Sequence, residues 1–139
     1  MANDNERNIN AMKLIANYCD KIEKIKNRFG NSYAVFKRDF VYQSSAAMYL
    51  FQIGEVTNRL SDDFKARYNH IDWRSIKGLR NIFAHTYEKI DISEVWKTIT
   101  NDVSVFYAEC LKMIREHEPE YDLDEQDDEL VDDEEDYEV

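Results

Sequence analysis

No proline interrupts the first 118 residues of this chain, and its only glycines are Gly30, Gly54 and Gly78. A sandwich or barrel of short strands needs turn residues roughly every ten positions, so this scarcity disfavours an all-β fold and points to long helices. The apolar spacing agrees. Met12, Ile15, Cys19, Ile22 and Phe29 form one stripe, which predicts a helix over residues 6–29 with Gly30 as its C-cap. A second helix is expected over residues 38–60, with Ala46, Leu50, Ile53 and Leu60 on one face. The small run "SSAA" at 44–47 admits a close neighbour there, and Gly54 marks another close approach.

Ser61 followed by two acids reads as the N-cap of a short helix to about residue 68. Asp72 caps the next helix, whose inward stripe on an α-helical projection is Ile76, Leu79 and Phe83. "DISE" at 91–94 is a variant capping box, and Trp96, Ile99, Val103, Phe106, Cys110 and Met113 continue it as one long amphipathic helix. The expected fold is therefore all-α, an up-and-down bundle of four to five helices in a single domain over residues 1–117.

The formal net charge is −11, but its distribution says more than its sum. Residues 118–139 hold 14 of the 29 acids and no base, leaving 15 acids against all 18 Lys and Arg in residues 1–117, a body of about +3. Such a body remains compatible with an anionic polymer, which needs a local basic patch and not a high overall pI. The acidic segment repels itself and has few apolar residues, so disorder is expected for 118–139. Tyr121, Leu123, Leu130, Val131 and Tyr137 are interspersed within it and could dock, but a plain solvating tail is the preferred expectation.

Cys19 and Cys110 lie far apart in apolar stripes, which suggests buried free thiols in a reducing compartment and neither a disulfide framework nor a metal module. The polar opening "MANDNERNIN" has no secretory apolar core, and no run reaches the length of a membrane span. A cytoplasmic protein without metal or cofactor is the expectation. His70 and His117 lack a partner pattern and read as surface residues, whereas Trp73 and Trp96 read as packing around helix ends.

The segment "RNIFAHTY" at 80–87 concentrates the chemistry. On the α-helical projection Arg80 sits at the edge of the buried face, Ala84 and Asn81 follow around the cylinder, and His85 points away from the core, poorly placed for a structural histidine. Ala84 leaves a shallow notch between a planar cationic fork and a side chain that exchanges protons near neutral pH. Together they suit cleavage of an RNA phosphodiester by its own 2′-hydroxyl. One Arg and one His are a thin set, so a two-fold partner would supply the second pair.

Arg80-Asn81-x-x-x-His85-x-Tyr87, set within "IDWRSIKGLRNIFAHTYEKIDISEVWKTI" at 71–99 and preceded by "IGEVTNRLSDDFKARY" at 53–68, resembles the signature region of HepT-like toxins of the HEPN ribonuclease superfamily. The resemblance implies an all-α homodimer with a metal-independent RNA-cleaving cleft, Arg80 and His85 as catalytic positions and Asn81 as their support. It further implies a toxin–antitoxin pair, in which an MNT-type nucleotidyltransferase antitoxin neutralises the toxin by AMP modification of Tyr87, with hetero-oligomers of the two conceivable. A bulky anion there would obstruct RNA. The acidic segment lies outside the resembling region, and one expectation is that it competes with RNA for the basic surface. Two other readings stay open: a non-catalytic helical partner of a nucleotidyltransferase, and a structural dimer whose polar octet is a solvated face.

Overall fold

The computed structural model describes residues 3–83 and 91–124, and among these every regular element is helical. Helix α1 spans Asp4–Phe29, opened by the Asn3 side chain accepting the Glu6 N–H and closed by Gly30, whose φ of 107° is available to glycine without strain. A short α2, Tyr33–Arg38, adds to the expected helices. It hands over through Asp39, which caps α3, Phe40–Thr57, by accepting from the Val41 and Tyr42 N–H groups.

Ser61 caps α4, Asp62–Arg67, as expected, and its hydroxyl and N–H also hold Asn8 of α1. Then come α5, Trp73–Gly78, a 3-10 segment, Leu79–Phe83, and after the undescribed residues 84–90 a continuous rod of α6, Ile92–Lys97, a π turn, Thr98–Asp102, and α7, Val103–His117.

The core lies where α1, α3 and α7 meet, with Met12, Ile15, Cys19, Ile22, Leu50, Ile53, Ile99, Cys110 and Met113 buried there. The inward stripes of α1 and of the rod through α7 are the expected ones; α3 buries Ala46, Leu50 and Ile53 as expected but stops at Thr57, short of the expected residue 60, so Leu60 is buried beyond the helix. At one end Tyr42, Phe29, Phe36 and Trp96 form an aromatic cluster, and the Tyr42 hydroxyl donates to the Gly30 carbonyl. Trp73 packs edge-on against Phe106 and donates to the Lys65 and Tyr68 carbonyls, so both tryptophans sit at helix ends. Cys19 and Cys110 are free and buried; burial and the neighbouring Cys19 thiol hold the Cys110 thiol well above its ordinary pKa.

Two features depart from expectation. The stripe from Trp96 to Met113 does face inward, but the hydrogen-bond ladder loosens to i→i+5 over Thr98–Asp102. The Thr98 and Thr100 hydroxyls take the Glu94 and Trp96 carbonyls, and the buried Lys26 ammonium takes the Ile99 carbonyl at 3.1 Å while also bonding Glu23. Side chains thus compete for the carbonyls that a regular helix would use.

Secondly, packing does not stop where the acidic run begins at Glu118. Tyr121 and Leu123 are only 8% and 6% exposed and belong to the core. Glu118 pairs with Lys13 at 2.6 Å, and the Lys13 ammonium sits over the Tyr121 ring. The apolar side chains at 121 and 123 bury more than the local charge repels. The expectation of disorder for residues 125–139 lies outside the described residues.

Candidate active site

The motif segment is held from its N-terminal side. The Asp72 carboxylate accepts the Ser75 hydroxyl and N–H, which fix the start of α5 and hold that carboxyl below the usual range. On the far side Asp91 does the same for α6 through Ser93 and the Glu94 N–H.

Between them the structure corrects the α-helical projection. In a 3-10 helix side chains three apart eclipse, so Leu79–Phe83 presents three ridges. The inward ridge is Ile76, Leu79 and Ile82, all packed on the core, in place of the expected Ile76, Leu79 and Phe83. Phe83 shares a second ridge with Arg80, and both face α3: the Phe83 ring lies 5.9 Å from Phe51, and Arg80 Nε lies 3.1 Å from Glu55 Oε1. Phe51 and Glu55 are one turn apart on α3, which matches the spacing across the contact. Asn81 occupies the third ridge and is exposed.

The 3-10 segment is seated against Gly54. A Cβ at that position would stand 2.5 Å from the Arg80 nitrogen and 3.1 Å from the Leu79 carbonyl carbon, so the two backbones touch where α3 has no side chain. The close approach read from the glycine is therefore the seat of the candidate catalytic arginine. Glu55 is the arginine's partner, an ion-paired carboxylate on the face of α3.

Both members of that pair are partly exposed, at 42% and 39%, so the contact orients the guanidinium without burying it. Arg74 and Lys77, also exposed, extend a basic surface along α5. His85 and Tyr87, and the notch expected at Ala84, lie outside the described residues.

The other histidines have partners that local pattern does not indicate. His70 Nε2 lies 3.2 Å from Glu109, and His117 Nε2 lies 3.3 Å from the Tyr68 hydroxyl, which itself donates to Glu116 at 2.6 Å. Among the described residues no group of three or more His, Cys, Asp or Glu is arranged to hold a metal ion, and no helix is long and apolar enough to cross a membrane.

Comparison with known proteins bears on this geometry. The chain is 31% identical over 64 residues to the Methanocaldococcus jannaschii protein named "Gamma-glutamylcyclotransferase and putative RNase MJ0434", an alignment covering 46% of this chain and 29% of that one. It is 37% identical over 51 residues to "Putative RNase MJ1380" of the same organism, covering 37% and 47%. To "Probable ribonuclease HepT" of Thermococcus cleftensis it is 33% identical over 51 residues, covering 37% and 46%. The chain thus spans less than half the length of each of these relatives. No solved structure matches it significantly. The family described as "Ribonuclease HepT-like" matches residues 15–113, from the middle of α1 almost to the end of α7 and across the whole Arg80 segment. The chain belongs to the HepT-like ribonuclease family.

Proposed function

We propose that this protein is an RNA-cleaving toxin, a metal-independent endoribonuclease acting as a homodimer, with Arg80 and His85 as its catalytic residues. In the reaction the ribose 2′-oxygen bonds to the adjacent phosphorus as the bond from phosphorus to the 5′-oxygen breaks. The products are a 2′,3′-cyclic phosphate and a 5′-hydroxyl. A proton leaves the 2′-hydroxyl and another reaches the departing 5′-oxygen, tasks for a base and an acid. His85 fills only one of those roles, so on this reading a second chain supplies the other. Arg80 offsets the charge that builds on the non-bridging oxygens.

The observation that carries the reading is the placement of Arg80: exposed, on a backbone seated against Gly54, and oriented by a carboxylate that a phosphate can replace. The outer face of α3 supports the dimer. Val41, Met48 and Glu55 recur every seven residues, the first two being exposed apolar side chains, and Phe40 beside them is 76% exposed. A second copy on that face would bring its own Arg80 beside the first. Asn81 supports the site from the third ridge. In a toxin–antitoxin system, AMP placed on Tyr87 by a nucleotidyltransferase antitoxin would block RNA by bulk and charge.

The test is cleavage of single-stranded RNA by Arg80→Ala and His85→Ala proteins with unchanged circular dichroism and oligomeric state. Each should lose about two orders of magnitude or more in rate, the scale of a lost transition-state donor. A folded Arg80→Ala dimer cutting RNA as fast as the parent would remove the assignment. An inactive parent that binds a nucleotidyltransferase tightly would favour the non-catalytic partner.

A further inference from the structure

Away from Arg80, a groove of about 590 Å³ runs along the N-terminal half of α1. Ala11 and Leu14 give it an apolar floor, Arg7, Lys13 and Arg59 bound it, and the Asn10 amide lines it. Among the described residues no acidic side chain does so. The three cations are not equally engaged. Lys13 sits 2.6 Å from Glu118 and its side chain is only 22% exposed. Arg7 reaches Asp4 at 3.9 Å with both side chains largely in solvent, a contact of small worth. Among the described residues no carboxylate pairs with Arg59, which is exposed. Two guanidiniums therefore flank an apolar floor with most of their planar donor forks unclaimed.

The end of α3 connects this groove to Arg80. The helical path runs on past Thr57, since the Asn58 and Arg59 N–H groups donate to the Glu55 and Val56 carbonyls. Arg59 thus follows Glu55, the partner of Arg80, by about one turn, or about 6 Å along the axis. Helix α1 is pinned at the same end: the Asn8 amide, 5% exposed, donates to the Ser61 hydroxyl and accepts the Ser61 N–H. Arg7, next to Asn8, and Arg59, just before Ser61, therefore stand across one corner of the bundle. A single strand of nucleic acid carries its negative charges at short, regular intervals, which a row of separated guanidiniums matches. Its unpaired bases present apolar faces and hydrogen-bonding edges, which the Ala11–Leu14 floor and the Asn10 amide match in turn.

We propose that the groove is a subsite for single-stranded RNA. Nucleotides flanking a scissile phosphate at Arg80 cross the end of α3, give phosphates to Arg59 and Arg7, and lay a base over Ala11 and Leu14 with Asn10 at its edge. The identity of the ligand rests on the function proposed above; the place rests on the groove. The subsite adds affinity and no chemistry. It holds the strand equally in the ground state and the transition state, so it lowers KM and leaves kcat alone.

The experiment compares the full chain with its Arg7→Ser, Arg59→Ser double variant. A Lys37→Ser, Lys97→Ser variant is the control of equal charge, beside the Phe36 and Trp96 rings at the other end of the bundle. The probe is a fluorescent single-stranded 2′-O-methyl RNA of about 12 nucleotides, which binds but has no 2′-hydroxyl to react. At about 50 mM salt the double variant should bind it about tenfold or more weakly than the parent, and the control within about twofold of the parent because its distant charges are screened. Two phosphate contacts fewer lower the slope of log affinity against log salt by about 1.4, so the gap should shrink about sevenfold between about 50 and about 200 mM. On cleavable RNA the double variant should raise KM at unchanged kcat, whereas Arg80→Ala lowers kcat.

Affinity and salt slope unchanged in the double variant, or lowered equally by the control, overturn the subsite; with cleavage intact they leave the ribonuclease standing. Loss of affinity confined to the double variant, with no cleavage by the parent, would do the reverse. A parent that binds no RNA removes both. Should the double variant fold poorly, photo-cross-linking of thiouridine-substituted RNA to the parent decides. Adducts on residues 7–14 or on Arg59 are expected, and adducts confined to other residues overturn the subsite.

Discussion

Replacing Gly54 by alanine is the most direct test of how the arginine is seated. The added Cβ would lie 2.5 Å from the Arg80 nitrogen, where ordinary contact begins near 3.4 Å, so the 3-10 segment must retreat by roughly 1 Å. Neither partner yields easily, because the obstacle is backbone and Leu79 and Phe83 pin it on either side. Overpacking of this kind costs about 1–3 kcal/mol, against a gain of about 0.5–1 kcal/mol from alanine in a helix interior. The clash wins by about 1–2 kcal/mol, or about 3–8 °C in Tm for a domain of this size.

Gly78→Ala is the matched control, because nothing lies within 4 Å of the place its new methyl group would take and its backbone is helical. It should be neutral or up to about 1 kcal/mol more stable. Urea midpoints followed by circular dichroism at fixed protein concentration measure both. Gly54→Ala should also lose more RNA cleavage than its stability accounts for, since the guanidinium moves with the backbone. A Gly54→Ala protein as stable as the parent, or midpoints rising together in both variants, would refute the close approach.

Lys26→Met should destabilise by about 1–3 kcal/mol in urea, because the Ile99 carbonyl and Glu23 lose a buried donor. Truncation after His117 should cost about 3 kcal/mol in urea unfolding by removing Tyr121 and Leu123 from the core. Burial and the Glu116 hydrogen bond push the Tyr68 phenol up to about 12, from an ordinary 10.0. A raised folded pKa means this stabilisation is complete below pH 10 and disappears as pH climbs toward 12. Tyr68→Phe should flatten that alkaline loss, with phenolate absorbance reporting the titration.

Most of the bundle was legible because its helices obey one period and Ser61, Asp72 and Asp91 stand at cap positions; the break that Asp39 makes between α2 and α3 was not. The 3-10 segment was not, for a specific reason. Ile82 and Phe83 are adjacent and both apolar, so a stripe through Ile76 and Leu79 continues equally well with period 3.6 or period 3. The period is not set by local pattern, and the segment's seat against Gly54 is a tertiary fact. The π turn was hidden similarly, because the apolar stripe runs through it and one of the side chains competing for its carbonyls is a lysine from α1. Tyr121 and Leu123 were concealed by their charged neighbours, and the partners of His70 and His117 lie 39 and 49 residues away in sequence. Within the candidate site, Arg80 and the closeness of Gly54 were readable from residue types. The pairing of Arg80 with Glu55 required the fold.

The three-ridged segment has an evolutionary corollary. With a repeat of three, adding or deleting one residue between Leu79 and Phe83 would advance every later side chain by one edge, exchanging isoleucine, phenylalanine and asparagine among core, neighbour and solvent. Length variation across relatives should therefore be absent from this stretch and displaced into the connections between helices, where a shift in frame permutes nothing.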